Sequence, residues 1–162
     1  MNRTWVMVAA ALGCVMLVPA AAPGGIDAKK QRIAIEVKQA LDAPEGTFEL
    51  FTLTGSKYAD RGSITFTSGP TPVFNGRIIE GQRVDRFRGA TTLTSMRGTL
   101  VLRLQVDFVS AGNNYQVATG TWSVVSGTGQ YSGVAGGGRS ALARPASGKF
   151  GFASYEGFVS KL

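Results

Sequence analysis

The sequence predicts an all-β fold, an antiparallel sandwich or closed barrel of eight or nine strands, preceded by an N-terminal signal segment. Three observations lead there. Apolar and polar residues alternate with period two through several segments. Clusters of Gly, Pro and Asn punctuate those segments at short intervals. Beyond the N-terminal leader no stretch carries a convincing helical stripe, so a helix-and-sheet enzyme would lack its helices.

The elements follow in chain order. "RIAIEVK" puts Ile33, Ile35 and Val37 on one face and Glu36 and Lys38 on the other. "EVKQALDAPEG" holds at most one helical turn, between Lys38 and Ala43. "GTFELFTLTG" is rich in β-formers and bounded by Gly46 and Gly55. "DRG" at 60–62 reads as a turn, "GSITFTS" as a short strand, and "SGPTP" at 68–72 as its stop. "GTLVLRLQVDF" alternates most cleanly, with Leu100, Leu102, Leu104, Val106 and Phe108 on one side. "AGNN" at 111–114 is a reversal, and "TGTWSVVS" and "FGFASYEGFVSKL" complete the series. Strands at this spacing number eight or nine and form one domain over residues 31–162.

The first 22 residues read as a secretory signal peptide. Arg3 precedes an apolar run from Trp5 to Val18, and small residues follow it. The run is shorter than the roughly 20 residues a spanning helix needs, so no stable membrane span is expected after cleavage at Ala20 or Ala22. Residues 23–30 read as a flexible lead-in. The location expected is extracellular or periplasmic. Cys14 is the sole cysteine and lies inside the apolar run after Ala11-Leu12-Gly13, a poor order for lipid attachment. Once the leader is removed no thiol remains, so stability must come from a packed core.

The chain has 17 Lys and Arg against 10 Asp and Glu, a formal net charge of +7, and no histidine. A Ser-His-Asp triad and a His-based zinc site are therefore excluded, and neither a metal nor a cofactor is expected. "RVDRFR", with Arg83, Arg86 and Arg88, is the densest basic cluster. It reads either as a polyanion patch or as a solvated strand face. Asp85 in its middle favours the strand face, and no nucleic-acid partner is expected.

"GTWSVVSGTGQYSGVAGGG" opens, at Gly127-Thr128-Gly129, like a phosphate-binding loop. Such a loop must run into a helix whose first amides face the phosphates. Here Gly136, Gly137 and Gly138 follow, each costing a helix about 1 kcal/mol relative to alanine. The glycines instead suit a tight corner, with Gly127 or Gly129 at positive φ and Tyr131 folding back as an apolar plug. The glycine run then lets the next strand bend where a barrel closes.

This segment, with Gly127, Thr128, Gly129, Tyr131, Gly133 and Gly136, resembles the late hairpin of the allene oxide cyclase-like barrel proteins, which are related to the dirigent proteins. "GTLVLRLQVDF" and "YEGFVSKL" are similar to strands of those barrels. The resemblance implies an eight-stranded barrel with an apolar cavity, assembled as a homotrimer. It also implies cofactor-free work on a small hydrophobic molecule, as a cyclase-like isomerase. Ala135 stands where dirigent proteins carry an arginine, and no catalytic residue of the cyclases matches by motif.

The candidate site residues are therefore few. Phe51, Leu102, Leu104, Trp122, Val124 and Tyr131 are the candidate ligand-binding residues. They either line a cavity or fill the barrel, and the pattern leaves both open. Glu49, Glu156 and Tyr155 are the acid–base candidates. An inward Glu49 would have a raised pKa, whereas an outward one is an ordinary solvated residue. The alternative to a ligand-binding barrel is a non-enzymatic envelope or extracellular interaction module with a filled interior.

Overall fold

A computed structural model describes residues 30–40, 45–54, 57–67, 75–79, 82–112, 114–145, 149–160 and 162. The predicted signal segment, most of the lead-in and the "SGPTP" turn lie outside the described residues. The strands are β1 (Gln31–Ala40), β2 (Glu45–Thr52), β3 (Ala59–Thr67), β4 (Asn75–Ile79), β5 (Gln82–Ser95), β6 (Gly98–Gly112), β7 (Tyr115–Gly127), β8 (Gly136–Pro145) and β9 (Phe150–Val159). A single 3-10 turn, Gly129–Tyr131, follows β7.

All pairings are antiparallel, in the order β3-β2-β1-β9-β8-β7-β6-β5-β4. β3 also pairs with β5, from Ser63↔Thr94 to Thr67↔Ala90, and this closes eight strands into a barrel. β4 is the extra strand. It pairs with the leading part of β5, residues 82–86, beyond the point where β3 takes over. The closed barrel is the predicted fold. Two local expectations are corrected. Lys38–Ala40 continue β1 rather than start a helical turn, because they stay paired with Phe150–Phe152. Asp60–Gly62 lie inside β3, paired with Phe48–Leu50, and the chain reverses before them.

Alternation sets what faces inward, and register sets the height. Following the pairings around the wall gives successive inner rows. The lowest of three, above the rows of Leu100 and Leu102, runs Leu104, Trp122, Gly138, Gly157 and Ile33. The middle row runs Val106, Gly120, Ser140, Tyr155, Ile35 and Leu50. Above it come Phe108, Ala118, Leu142, Ala153, Val37 and Phe48.

Trp122 explains two of the glycines. Its indole N–H donates to the Glu156 carbonyl at 3.2 Å, two strands away. To reach it, the ring crosses β8 at Gly138, its partner in register. A Cβ at Gly138 would also collide with that same Glu156 carbonyl and with Gly157 Cα. Backbone on both sides leaves no flexible atom to give way. Gly138→Ala is therefore expected to destabilise the barrel by about 1–3 kcal/mol, read as a lower urea midpoint, with a matching change in tryptophan fluorescence.

Candidate binding site

The two ends of the barrel differ. One is sealed by the turn after β7. Gly129 takes φ +59° to make that turn, while Gly127 stays outside the positive-φ region. The Thr128 and Gln130 amides donate to the carbonyls of Thr99 and Arg97 at 2.9 and 2.8 Å, pinning the loop across β6. Tyr131 then drops into the core, 1 % exposed. Its hydroxyl donates to Asp60 Oδ2. Ser95 Oγ donates to the same oxygen at 2.6 Å, and the Arg61 amide donates to Oδ1 at 2.9 Å. Arg97 Nε lies 3.7 Å from Oδ1, with its guanidinium over the Tyr58 ring. Tyr131 is thus a plug as expected, with a polar tip tied to a carboxylate that alternation could not link to it.

Burial alone would raise the Asp60 pKa. The donors Ser95, Tyr131 and the Arg61 amide, with the charge of Arg97, outweigh it and hold the carboxyl below its usual value. Tyr131 is pushed above the ordinary phenol value, first by burial and then by its bond to Asp60.

The other end is described through its strand residues. A hollow of about 190 Å³ sits in its mouth, walled by Val37, Phe66, Phe87, Phe108, Leu142 and Ala153. Phe87 and Phe108 meet edge to face, 6.5 Å between centroids. Ala153 and Gly151 are small where β9 passes, and that leaves the space. Arg144 and Gln39 stand at the rim. Arg144 donates to Gln116 Oε1 at 2.8 Å and lies over the Phe108 ring. Among the described residues, no Asp or Glu lines it. The hollow can hold and orient an apolar molecule.

The sequence-derived candidates fall elsewhere. Leu102, Leu104 and Trp122 are buried in the packed core, and half-buried Val124 packs against it. Tyr131 seals the opposite end. Phe51 is corrected outright: Phe48 and Leu50 are the inward residues of β2, so Phe51 lies on the outer parity, in a shallow surface groove with Arg61 and Arg97. None of the six lines the mouth hollow. Glu49 is also on the outer parity and exposed. Glu156 is about half exposed and ion-paired to Arg32 at 2.9 Å. Tyr155 points inward, 2 % exposed, and burial raises its pKa well above the ordinary phenol value.

The basic cluster on β5 is a paired strand face. Arg83 bonds Asp85, Arg86 grips Asp107 through two 2.7 Å bonds, and Arg88 donates to Gln105. Among the described residues no group of three or more His, Cys, Asp or Glu could hold a metal ion, and no helix is long and apolar enough to cross a membrane. The chain matches no protein-family model, no curated protein and no solved structure.

The plug sets an expected pH profile. Asp60 has a lowered folded pKa, so its contribution is present above the unfolded value, about 4, and is lost as pH falls below it. The raised tyrosine pKa values act oppositely: their contribution is present below about pH 10 and is lost above it. Tyr131→Phe is expected to lower stability at neutral pH by about 1–3 kcal/mol, because a buried carboxylate loses a donor. Urea unfolding at acid, neutral and alkaline pH measures all three.

Proposed function

We propose that the protein is an exported barrel that binds a small hydrophobic molecule in the hollow at the end opposite Tyr131. The observation that carries this reading is the apolar hollow itself, walled by Phe66, Phe87, Phe108 and Leu142, beside a core that is otherwise packed. Its volume, about 190 Å³, is below the roughly 300–1,000 Å³ of drug-sized pockets. The occupant is therefore compact, on the scale of one or two rings. The resemblance to allene oxide cyclase-like barrels supports the same reading and adds a chemistry, cofactor-free isomerisation of a molecule held in one conformation.

Tetralin, a bicyclic hydrocarbon, serves as the probe. Its titration into the protein is expected to move the NMR signals of Leu142, Ala153 and Val37. Leu142→Trp, which fills the hollow, is expected to weaken binding at least tenfold, on the order of 1.4 kcal/mol, while the protein stays folded. Absence of any shift at those residues in the wild type would sink the proposal.

One observation favours the second reading, a non-enzymatic interaction module. Phe150, Phe152 and Phe158 project outward from β9, exposed by 41 %, 56 % and 53 %. An aromatic stripe of this kind marks contact surfaces, and another copy of the chain, in a trimer on the resemblance, is the partner proposed for it. Phe150→Ser with Phe158→Ser is then expected to reduce the sedimenting mass to that of a monomer. An unchanged sedimentation coefficient would count against that reading and leave the hollow untouched.

A further inference from the structure

Three buried hydroxyls, those of Tyr58, Ser140 and Tyr155, have no partner among the described residues, and the last two are neighbours on the inner wall. Tyr155 and Ser140 are 2 % and 5 % exposed, and neither hydroxyl has a hydrogen-bond partner among the described residues. They are direct cross-strand neighbours on β9 and β8. Side chains so placed share one patch of wall, with Cβ atoms about 5 Å apart. Native proteins rarely bury hydroxyls unpaired, because each has given up its water for nothing. Two adjacent ones ask what they are for.

Their height in the barrel supplies the reason. The row above them contains Leu142 and Ala153, which also pair directly and line the hollow. Gly120, on the far side of Ser140, adds no side chain to the same row. The two hydroxyls thus form a polar spot in the row beneath an apolar hollow. A hydroxyl both donates and accepts. The row continues past Leu50 to Asp60, whose carboxylate is already held by Tyr131 and Ser95, so the charge in that row is negative. Arg144, the charged residue of the hollow's lining, stands at the rim, two residues further along β8 than Leu142.

We infer that the ligand is a compact apolar molecule bearing a neutral oxygen, a ketone or an alcohol, which lies inward and bonds with Tyr155 and Ser140. Burial keeps the Tyr155 phenol protonated, so it is a donor at any ordinary pH. A carboxylate would be disfavoured at that depth, where no cation neutralises it. This inference rests on the hollow being the binding site.

The test compares 1-tetralone with tetralin, the same carbon frame with and without the carbonyl oxygen, by titration calorimetry on the wild type, Tyr155→Phe and Ser140→Ala. The wild type is expected to bind the ketone about tenfold more tightly, the worth of a neutral hydrogen bond in a dry site. Tyr155→Phe should lose most of that preference through weaker ketone binding, with tetralin affinity unchanged and the ligand-free melting temperature equal or higher. Ser140→Ala should lose part of it, and it carries the test alone if the phenylalanine variant does not fold. Equal binding of both probes by the wild type overturns the inference but leaves the hollow as a site. So does a preference that survives both substitutions. Failure of either probe to bind overturns this inference and the binding function together.

Discussion

The closure of β3 onto β5 is the constraint from which the other features follow. Once eight strands form a ring, alternate side chains have only one lumen to share, and its width is set by strand number and tilt. Volume must then be distributed among rows. In the row of Leu104, Trp122 fills the space that Gly138 and Gly157 leave. Near the mouth the large inward residues come from β3, β5, β6 and β8, while the inward residues of β9 there are Gly151 and Ala153, with Phe152 at the edge. A solid core and a hollow are therefore two outcomes of one packing problem, solved differently at two heights.

Polar groups follow the same division. At the sealed end, Asp60 is a buried carboxylate surrounded by donors from three elements: β5, the turn after β7 and the backbone of its own strand. Its satisfaction makes that end rigid and specific. In the row beneath the hollow, Tyr155 and Ser140 lack protein partners. The Tyr58 hydroxyl, beside Arg97 near Asp60, is unpaired as well, so the two clusters differ in how much of their polar surface is satisfied rather than in whether any of it is left over.

The outer surface is less selective. Arginines on β1 and β5 pair with carboxylates on neighbouring strands, at Arg32–Glu156 and Arg86–Asp107. The exposed Arg32–Glu156 pair contributes little to stability, while Arg86–Asp107 is part-buried and bidentate. They make the net charge of the chain a poor guide to a binding patch, because the densest arginine run is already engaged with Asp85, Asp107 and Gln105.

Sequence alone determined the class of fold, because period-two alternation and turn chemistry are local properties. The inward faces of β1, β6 and β7 and the burial of Tyr131 were legible for the same reason, whereas the turn read at Asp60–Gly62 proved to be strand. The site was far less legible. Alternation says which way a side chain points but not how high it sits, so Leu102, Leu104 and Trp122 pointed inward yet fell in the packed part. Phe66, Phe87 and Leu142 became wall residues only through register, which depends on partners distant in the chain. Likewise, the meeting of Asp60 with Tyr131, 71 residues apart, and of Tyr155 with Ser140 required the ring to close. What each strand buries is written in its own residues; what those residues face together exists only once the barrel has formed.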